Sequence, residues 1–274
     1  MIRRRQAGPR PTAPAAPPGR RLLGTARRNE ALDRGAKGLF GAAAAALPTR
    51  AALTPPDDRT DAARPGLHVQ YGCGYSAPAE WTNFDASPTL RWERIPLLGS
   101  LWTKNAERFP ANVRVGDIVR GLPVAERSCR GVYASHVLEH LALDEFHRAL
   151  DNTLKILGEG GIFRLVVPDL EWAAREYVRR LDATRDPTAS DFLMRETYLG
   201  TPRRARGLVG LVYRWLSTSS HLWMWDEASL AQALTAHGFR AVRRCQFGDC
   251  EDPLFARVED RERFVHAVAM EARR

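Results

Sequence analysis

A chain of 274 residues with 44% hydrophobic content can build one sizeable core and is too apolar to be disordered throughout. Its net charge of +9 is unevenly placed: residues 1–64 hold 13 Lys+Arg against 5 Asp+Glu, so the remaining 210 residues carry only +1. The near-neutral body has no general phosphate-binding surface in its composition, and no nucleic-acid partner is expected.

Residues 1–64 form a basic tail rich in Pro, Ala and Arg, ending near Pro55-Pro56-Asp57-Asp58. Such a stretch buries too little apolar surface to offset its ordering entropy, so it is expected to be largely disordered. Its longest apolar run, Leu39 to Pro48, is too short and too alanine-rich to span a bilayer, and no secretory leader pattern is present. Cys73, Cys129, Cys245 and Cys250 show neither paired nor finger spacing and read as free thiols, which suits the cytoplasm.

Residues 65–274 read as one α/β domain, because short apolar runs alternate with helical periodicity. The first strand, 67–71, leads into Gln70-Tyr71-Gly72-Cys73-Gly74-Tyr75-Ser76, whose two glycines let the backbone turn sharply and approach a ligand. A second strand, 82–85, ends on Asp85, an acid placed to accept the hydroxyls of a ribose. Gly72 to Ala77 also matches G-x-G-x-x-A, but a dinucleotide site needs a helix directly after the glycines and an acid roughly 20 residues on. Here Asp85 stands only eleven positions after Gly74, with Pro78 between them, so a short turn replaces that helix.

Further strands are expected over 113–118, 131–135 and 161–167. Between the last two, Phe146, Leu150, Leu154 and Leu157 recur at helical spacing, and Gly158 with Gly160-Gly161 stops the helix. A helix follows over 169–182, then a looser lid or cap at about 183–222 that contains Arg203, Arg204, Arg206 and the apolar run Gly207 to Leu216. Asp226 caps a helix reaching Ala236, and 239–245 and 263–270 are the final strands.

Ligands of open parallel sheets bind outside the carboxyl ends of the strands. At those ends this chain places Gly72, Cys73 and Gly74, then Asp85, then Gly116-Asp117-Ile118, then Ser135-His136. Each has a structural use by itself, as a turn glycine, surface acid, helix cap or core histidine. Together, in this order, they form a coherent site.

The strings Gly116 to Pro123, Gly131-Val132-Tyr133-Ala134-Ser135-His136-Val137-Leu138-Glu139-His140-Leu141 and Phe163 to Asp169 resemble the class I S-adenosylmethionine-dependent methyltransferases, type-11-like bacterial subgroup. The resemblance spans about Leu67 to Phe239 and implies a Rossmann-like, mostly parallel seven-stranded sheet with helices on both faces and a helical lid. It implies that Gly72 and Gly74 lie under the methionine part of S-adenosylmethionine, that Asp85 takes the ribose, and that Asp117 and Ile118 hold the adenine. Cys73 belongs to the same loop, and Ser135 and His136 lie near the transferred methyl. Gln70 stands where many relatives carry an acid, so a neutral acceptor would face the cofactor's ammonium group.

Methyl transfer from a sulfonium needs alignment, with a general base only for a protonated acceptor. His136 is the first candidate base and His221 the second, the latter opening a stretch, Leu222 to Asp226, that resembles the H-x-W-M-Y-D segment of the same group. Trp223 and Trp225 read as core or as stacking residues. His136-x-x-Glu139-His140 occupies the place of a Glu-x-x-Glu-His magnesium site in some methyltransferases, but a leading histidine suits magnesium poorly and no metal is expected. The expected activity is methyl transfer to an O or N of a small-molecule or glycan-like acceptor. The alternative is a methyltransferase-fold protein of weak or no activity that works by binding.

Overall fold

Strand β1 (Leu67–Tyr71) pairs in parallel with β2 (Thr82–Asp85) on one side and with β4 (Cys129–Ser135) on the other, so the chain reverses its direction of travel across the sheet at this strand. The computed structural model describes residues 66–95, 107–201 and 220–274, all within one unit from Arg59 to Arg274. With β3 (Val113–Val115), β5 (Leu157–Pro168), β6 (Arg240–Arg244) and β7 (Ala267–Arg273), the sheet order is β3-β2-β1-β4-β5-β7-β6. Strands β1 to β5 run parallel, and β7 is antiparallel to both β5 and β6. The Rossmann-like, mostly parallel seven-stranded fold expected from the sequence is therefore present. No helix among the described residues is long and apolar enough to cross a membrane.

β4 and β5 occupy the middle of the sheet and are buried on both faces, which is why they read as continuous apolar runs. Five helices are described: α1 (Pro88–Glu93), α2 (Leu143–Ile156), α3 (Leu170–Thr184), α4 (Ala189–Glu196) and α5 (Glu227–Ala236). α2 buries Phe146, Ala149, Leu150, Thr153 and Ile156, keeps Asp144 and Glu145 in its first turn and Lys155 in its last, and so agrees with its own dipole. Asp226 caps α5 by accepting from the Ser229 N–H at 2.8 Å. α2 and α5 cover one face of the sheet around Val69, Val132, Phe163 and Leu165. Segment 246–264, with 3-10 turns at Pro253–Arg257 and Arg261–Phe264, covers the other around Trp81, Tyr133, Val166 and Phe255.

Several boundaries differ from the sequence pattern for local reasons. β3 ends at Val115 instead of 118, because the Gly116 N–H donates to the Asp85 carbonyl and Asp117 then accepts from the Val119 N–H at 3.0 Å to start a turn. Leu157 opens β5 instead of closing the α2 face, and the glycines after it form a bulge: Cys129 pairs with Leu157 but Gly131 with Ile162. β7 begins at 267 and not 263, since Asp260 accepts from the Glu262 N–H at 3.0 Å and initiates the 3-10 turn. The connection from β1 to β2 contains turns and no helix, as the short spacing required. The tail over 1–64 and Arg203, Arg204, Arg206 and Gly207 to Leu216 lie outside the described residues.

Candidate active site

The sheet reverses between β1 and β4, and the crevice at their carboxyl ends is where an α/β fold of this kind binds ligands. Gly72 turns there with φ +64, and a Cβ on it would lie 2.2 Å from Cγ2 of Val137, just past β4. The loop after β1 is thus pressed against the segment after β4, and only glycine permits the approach. Gly74 has φ +54 with nothing within 4 Å of its would-be Cβ, so its requirement is the dihedral alone. Gly74→Ala should cost about 1 kcal/mol of stability through that dihedral, and Gly72→Ala about 2 to 3 kcal/mol because overpacking is added. Thermal melts of both variants check this ordering, and equal losses would contradict it.

Asp85 is buried at the end of β2, where Oδ2 accepts from the Gly74 N–H at 3.0 Å and Oδ1 from the Ser87 N–H at 2.8 Å. The carboxylate so ties the glycine loop to β2 and keeps lone pairs for a ligand. Gln70 lies underneath, its amide nitrogen donating to the Ser76 carbonyl at 2.7 Å and to Asn83 Oδ1 at 2.6 Å. Both its N–H donors are committed, which makes it a brace for the loop. Cys73 packs with Leu90 of α1 and Val113, and burial pushes its thiol up to about 12, so it is no nucleophile. Asp117 faces solvent in part, while Ile118 is buried and gives its carbonyl to Asn152 Nδ2 at 2.7 Å. An acceptor beside an apolar wall is what an adenine amino group asks for.

Beyond β4 the chain meets a second constellation. Ser135 is buried, its hydroxyl without a partner and its carbonyl accepting from Arg263 at 3.3 Å. His136 takes the left-handed φ of 54, donates its backbone N–H to the Val166 carbonyl, and places Nε2 2.9 Å from the Arg263 carbonyl. A carbonyl only accepts, so Nε2 carries the proton and Nδ1 turns to the Glu139 carboxylate 3.5 Å away. Burial alone would lower the His136 pKa, but Glu139 and the Arg263 carbonyl outweigh it and hold it above the ordinary histidine value. Glu139 is fully buried at the 3-10 turn Leu138–His140, and its carboxylate oxygens have no hydrogen-bond partner. Its carbonyl accepts from the Leu222 and Trp223 N–H groups, which draws His221 in behind it. Burial lowers the His221 pKa, with the nearby Glu139 carboxylate opposing it, and its Nδ1 has no hydrogen-bond partner.

These residues open onto a cavity of about 590 Å³ at the carboxyl edge. Among the described residues its wall includes the acids Asp169, Glu196, Asp260 and Glu262 and one arginine, Arg263, with Trp172 and Tyr198 as aromatic surfaces and Trp172 stacked on His266 at 3.7 Å. A second cavity of about 590 Å³ lies at the opposite, amino end of the strands, lined by Arg127, Ser128 and Gly158 among others, where this fold class places no catalysis. Residues 260–266 and the Trp172 and Tyr198 walls had no motif to announce them. They arrive through the antiparallel return of β7 and the packing of α3 on α4. Trp225 proves to be core, stacked on Phe146 at 4.0 Å, whereas Trp223 is exposed.

The glycine cradle, the buried acid at the end of β2 and the Asp117-Ile118 edge fit the methionine, ribose and adenine parts of S-adenosylmethionine in turn. A family model described as a methyltransferase domain matches residues 68–244. No curated protein matches the sequence. Among solved structures, the chain is similar to an S-adenosylmethionine-dependent methyltransferase from Archaeoglobus fulgidus, at 14% identity and TM-score 0.39, covering 76% of this chain and 86% of that one. It is also similar to a putative methyltransferase from Haloferax volcanii in complex with the Trm112 methyltransferase activator, at 14% identity and TM-score 0.39, covering 76% and 82%. Both likenesses are distant, and the family match over most of the chain carries the assignment: the chain belongs to the S-adenosylmethionine-dependent class I methyltransferases.

Proposed function

We propose that this methyltransferase transfers its methyl group to an oxygen or nitrogen of a small, uncharged or cationic acceptor, glycan-like in its polarity. The observation that carries this reading is the cavity beside His136, where acids outnumber arginine among the described residues. Such a wall repels phosphorylated and carboxylated acceptors, while carboxylates that accept from hydroxyls beside aromatic faces are what a sugar ring needs. When bound, the cofactor supplies an electrophilic methyl on a sulfonium. Asp85 holds its ribose, the Gly72 turn admits its backbone-hugging end, and His136 Nδ1 receives the acceptor's proton with Glu139 opposite the charge that forms. The four free cysteines suit a reducing compartment, and we place the protein in the cytoplasm.

Titration with S-adenosylhomocysteine tests the cofactor half. Asp85→Ala should weaken binding by about 2 kcal/mol, roughly 30-fold, a modest figure for a charged acceptor because half its lone pairs already serve the backbone. Unchanged affinity would remove Asp85 from the site. Supplying protein and labelled cofactor to a host extract, followed by mass spectrometry of labelled products, tests the acceptor half. A second reading draws on Gln70: with its donors spent under the loop, no carboxylate there meets the cofactor's ammonium. Tight cofactor binding with no labelled product would favour a binding protein of weak turnover.

A further inference from the structure

Methyl transfer as described uses the Glu139 carboxylate toward His136 and leaves its approach to His140 and His221 unexplained. It is fully buried, and neither oxygen has a hydrogen-bond donor. A carboxylate removed from water is expensive unless paired with a cation. Oε1 lies 3.9 Å from His140 Nε2 and 4.0 Å from His221 Nε2, and the three atoms fall within 4.8 Å of one another. The His140 ring is set from behind. Its Nδ1 lies 3.1 Å from the Ser220 carbonyl, which can only accept, so the neutral ring keeps its proton on Nδ1 and turns the Nε2 lone pair toward Glu139. A carbonyl behind a ligating histidine, fixing tautomer and orientation, is the usual outer partner of a metal ligand. Lone pair facing carboxylate is repulsive with nothing between them and favourable around a cation.

We propose that Glu139, His140 and His221 hold a divalent transition-metal ion of the zinc class. Two imidazole nitrogens and one carboxylate oxygen suit such an ion, whereas magnesium asks for an octahedron of oxygens. The expectation of no metal turned on the histidine in the leading position, His136, and that residue is outside this donor set. Ligand atoms of a closed tetrahedron with bonds of about 2 Å stand about 3.3 Å apart, so closing the site takes a contraction of about 0.6 to 0.7 Å at Glu139 and at most about 1.5 Å across the set. His136 reaches only Glu139 and stays outside the ligand set. Three protein ligands leave an open position, which is the pattern of catalytic zinc, and here it faces the cavity. That position takes the acceptor, and its hydroxyl loses its proton more readily when bound to the ion. The proton goes to His136, the oxygen–methyl bond forms and the methyl–sulfur bond breaks to leave the thioether. The role in turnover rests on the proposed function, but the site does not.

The test uses tag-free full-length protein, stripped with chelator and titrated with Co²⁺. The expected result is one Co²⁺ per chain with the visible band of a four- or five-coordinate nitrogen and oxygen site, displaced by Zn²⁺. His140→Ala and His221→Ala should weaken binding at least about 100-fold, since losing an outer partner alone typically costs 10- to 100-fold. His221→Gln serves as the gentler replacement if either alanine variant fails to fold. Absence of a stoichiometric site, a band that survives both substitutions, or a thiolate charge-transfer band tracing the metal to cysteine would each overturn the proposal. S-adenosylhomocysteine titration of the same metal-free sample keeps the two ideas apart: binding there without a cobalt site overturns the metal and leaves the methyltransferase standing.

Discussion

Replacing His136 with glutamine is expected to lower kcat by about 10² to 10⁴-fold, the range a positioned general base supplies. Affinity for S-adenosylhomocysteine should stay within about twofold, because no cofactor contact is removed. Glutamine keeps an N–H for the Arg263 carbonyl that now receives Nε2 at 2.9 Å, so the loop retains its tether and the variant isolates the proton acceptor. The backbone at this residue has φ 54, a conformation that L-residues avoid and that tends to persist where a side chain must be aimed. With Nε2 occupied, only Nδ1 can take a proton, and it faces the buried Glu139 carboxylate, which stabilises the resulting cation. Single-turnover measurements give the answer directly. A variant that transfers methyl at the wild-type rate would confine His136 to ordering the loop.

The second large effect concerns stability. Arg164 lies on central strand β5 with its side chain 1% exposed, and its guanidinium meets Glu271 at 2.6 Å, Glu259 at 2.7 Å, Asp249 at 2.8 Å and the Gln246 carbonyl at 2.9 Å. Burial by itself would lower its pKa, and the surrounding acids outweigh that and keep the charge fixed. Arg164→Met preserves most of the volume but takes the cation from buried Glu259 and leaves buried Glu271 with Arg243, so a loss of about 3 to 5 kcal/mol in urea unfolding at neutral pH is expected. For a domain of this size that is a fall in Tm of roughly 10 °C. Adding Glu259→Gln and Glu271→Gln should restore much of it, since the penalty lies in the uncompensated charges.

The pH dependence has a definite sign. Burial already raises the Glu259 pKa above 4.5 with Arg164 among the groups opposing the rise, and removing the arginine raises it further. A carboxylate whose folded pKa is raised binds its proton more tightly in the folded state, so folding is favoured as pH falls. The deficit of Arg164→Met should therefore shrink on acidification toward that range. A loss under about 1 kcal/mol at neutral pH, or one that grows with acid, would show that the network is not what holds the second face of the sheet together.

Much of this was written in local sequence. Gly72, Gly74, Asp85, Asp117 and Ser135 could be placed on one edge because strand periodicity, glycine sterics and the rule that ligands sit at carboxyl ends act over a few residues at a time. Asp226 and the glycines after α2 announced themselves for the same reason, although the bulge at 158–161 and the early end of β3 depended on neighbours the pattern could not see.

The chain by itself determined the fold class and the edge on which Gly72, Gly74, Asp85, Asp117 and Ser135 gather, because each rests on contacts between residues close in sequence or on strands whose order follows from parallel crossovers. Tertiary structure alone decided the acceptor side. In an arginine-rich sequence nothing distinguishes Arg164, whose partners lie 85 to 107 residues away and meet it only because β7 inserts antiparallel between β5 and β6. Likewise Glu139 becomes a buried, unsatisfied charge only when residues 220–223 fold back over it and bring His221 to its oxygen. Burial and convergence are properties of the packed chain, and spacing in the sequence does not encode them.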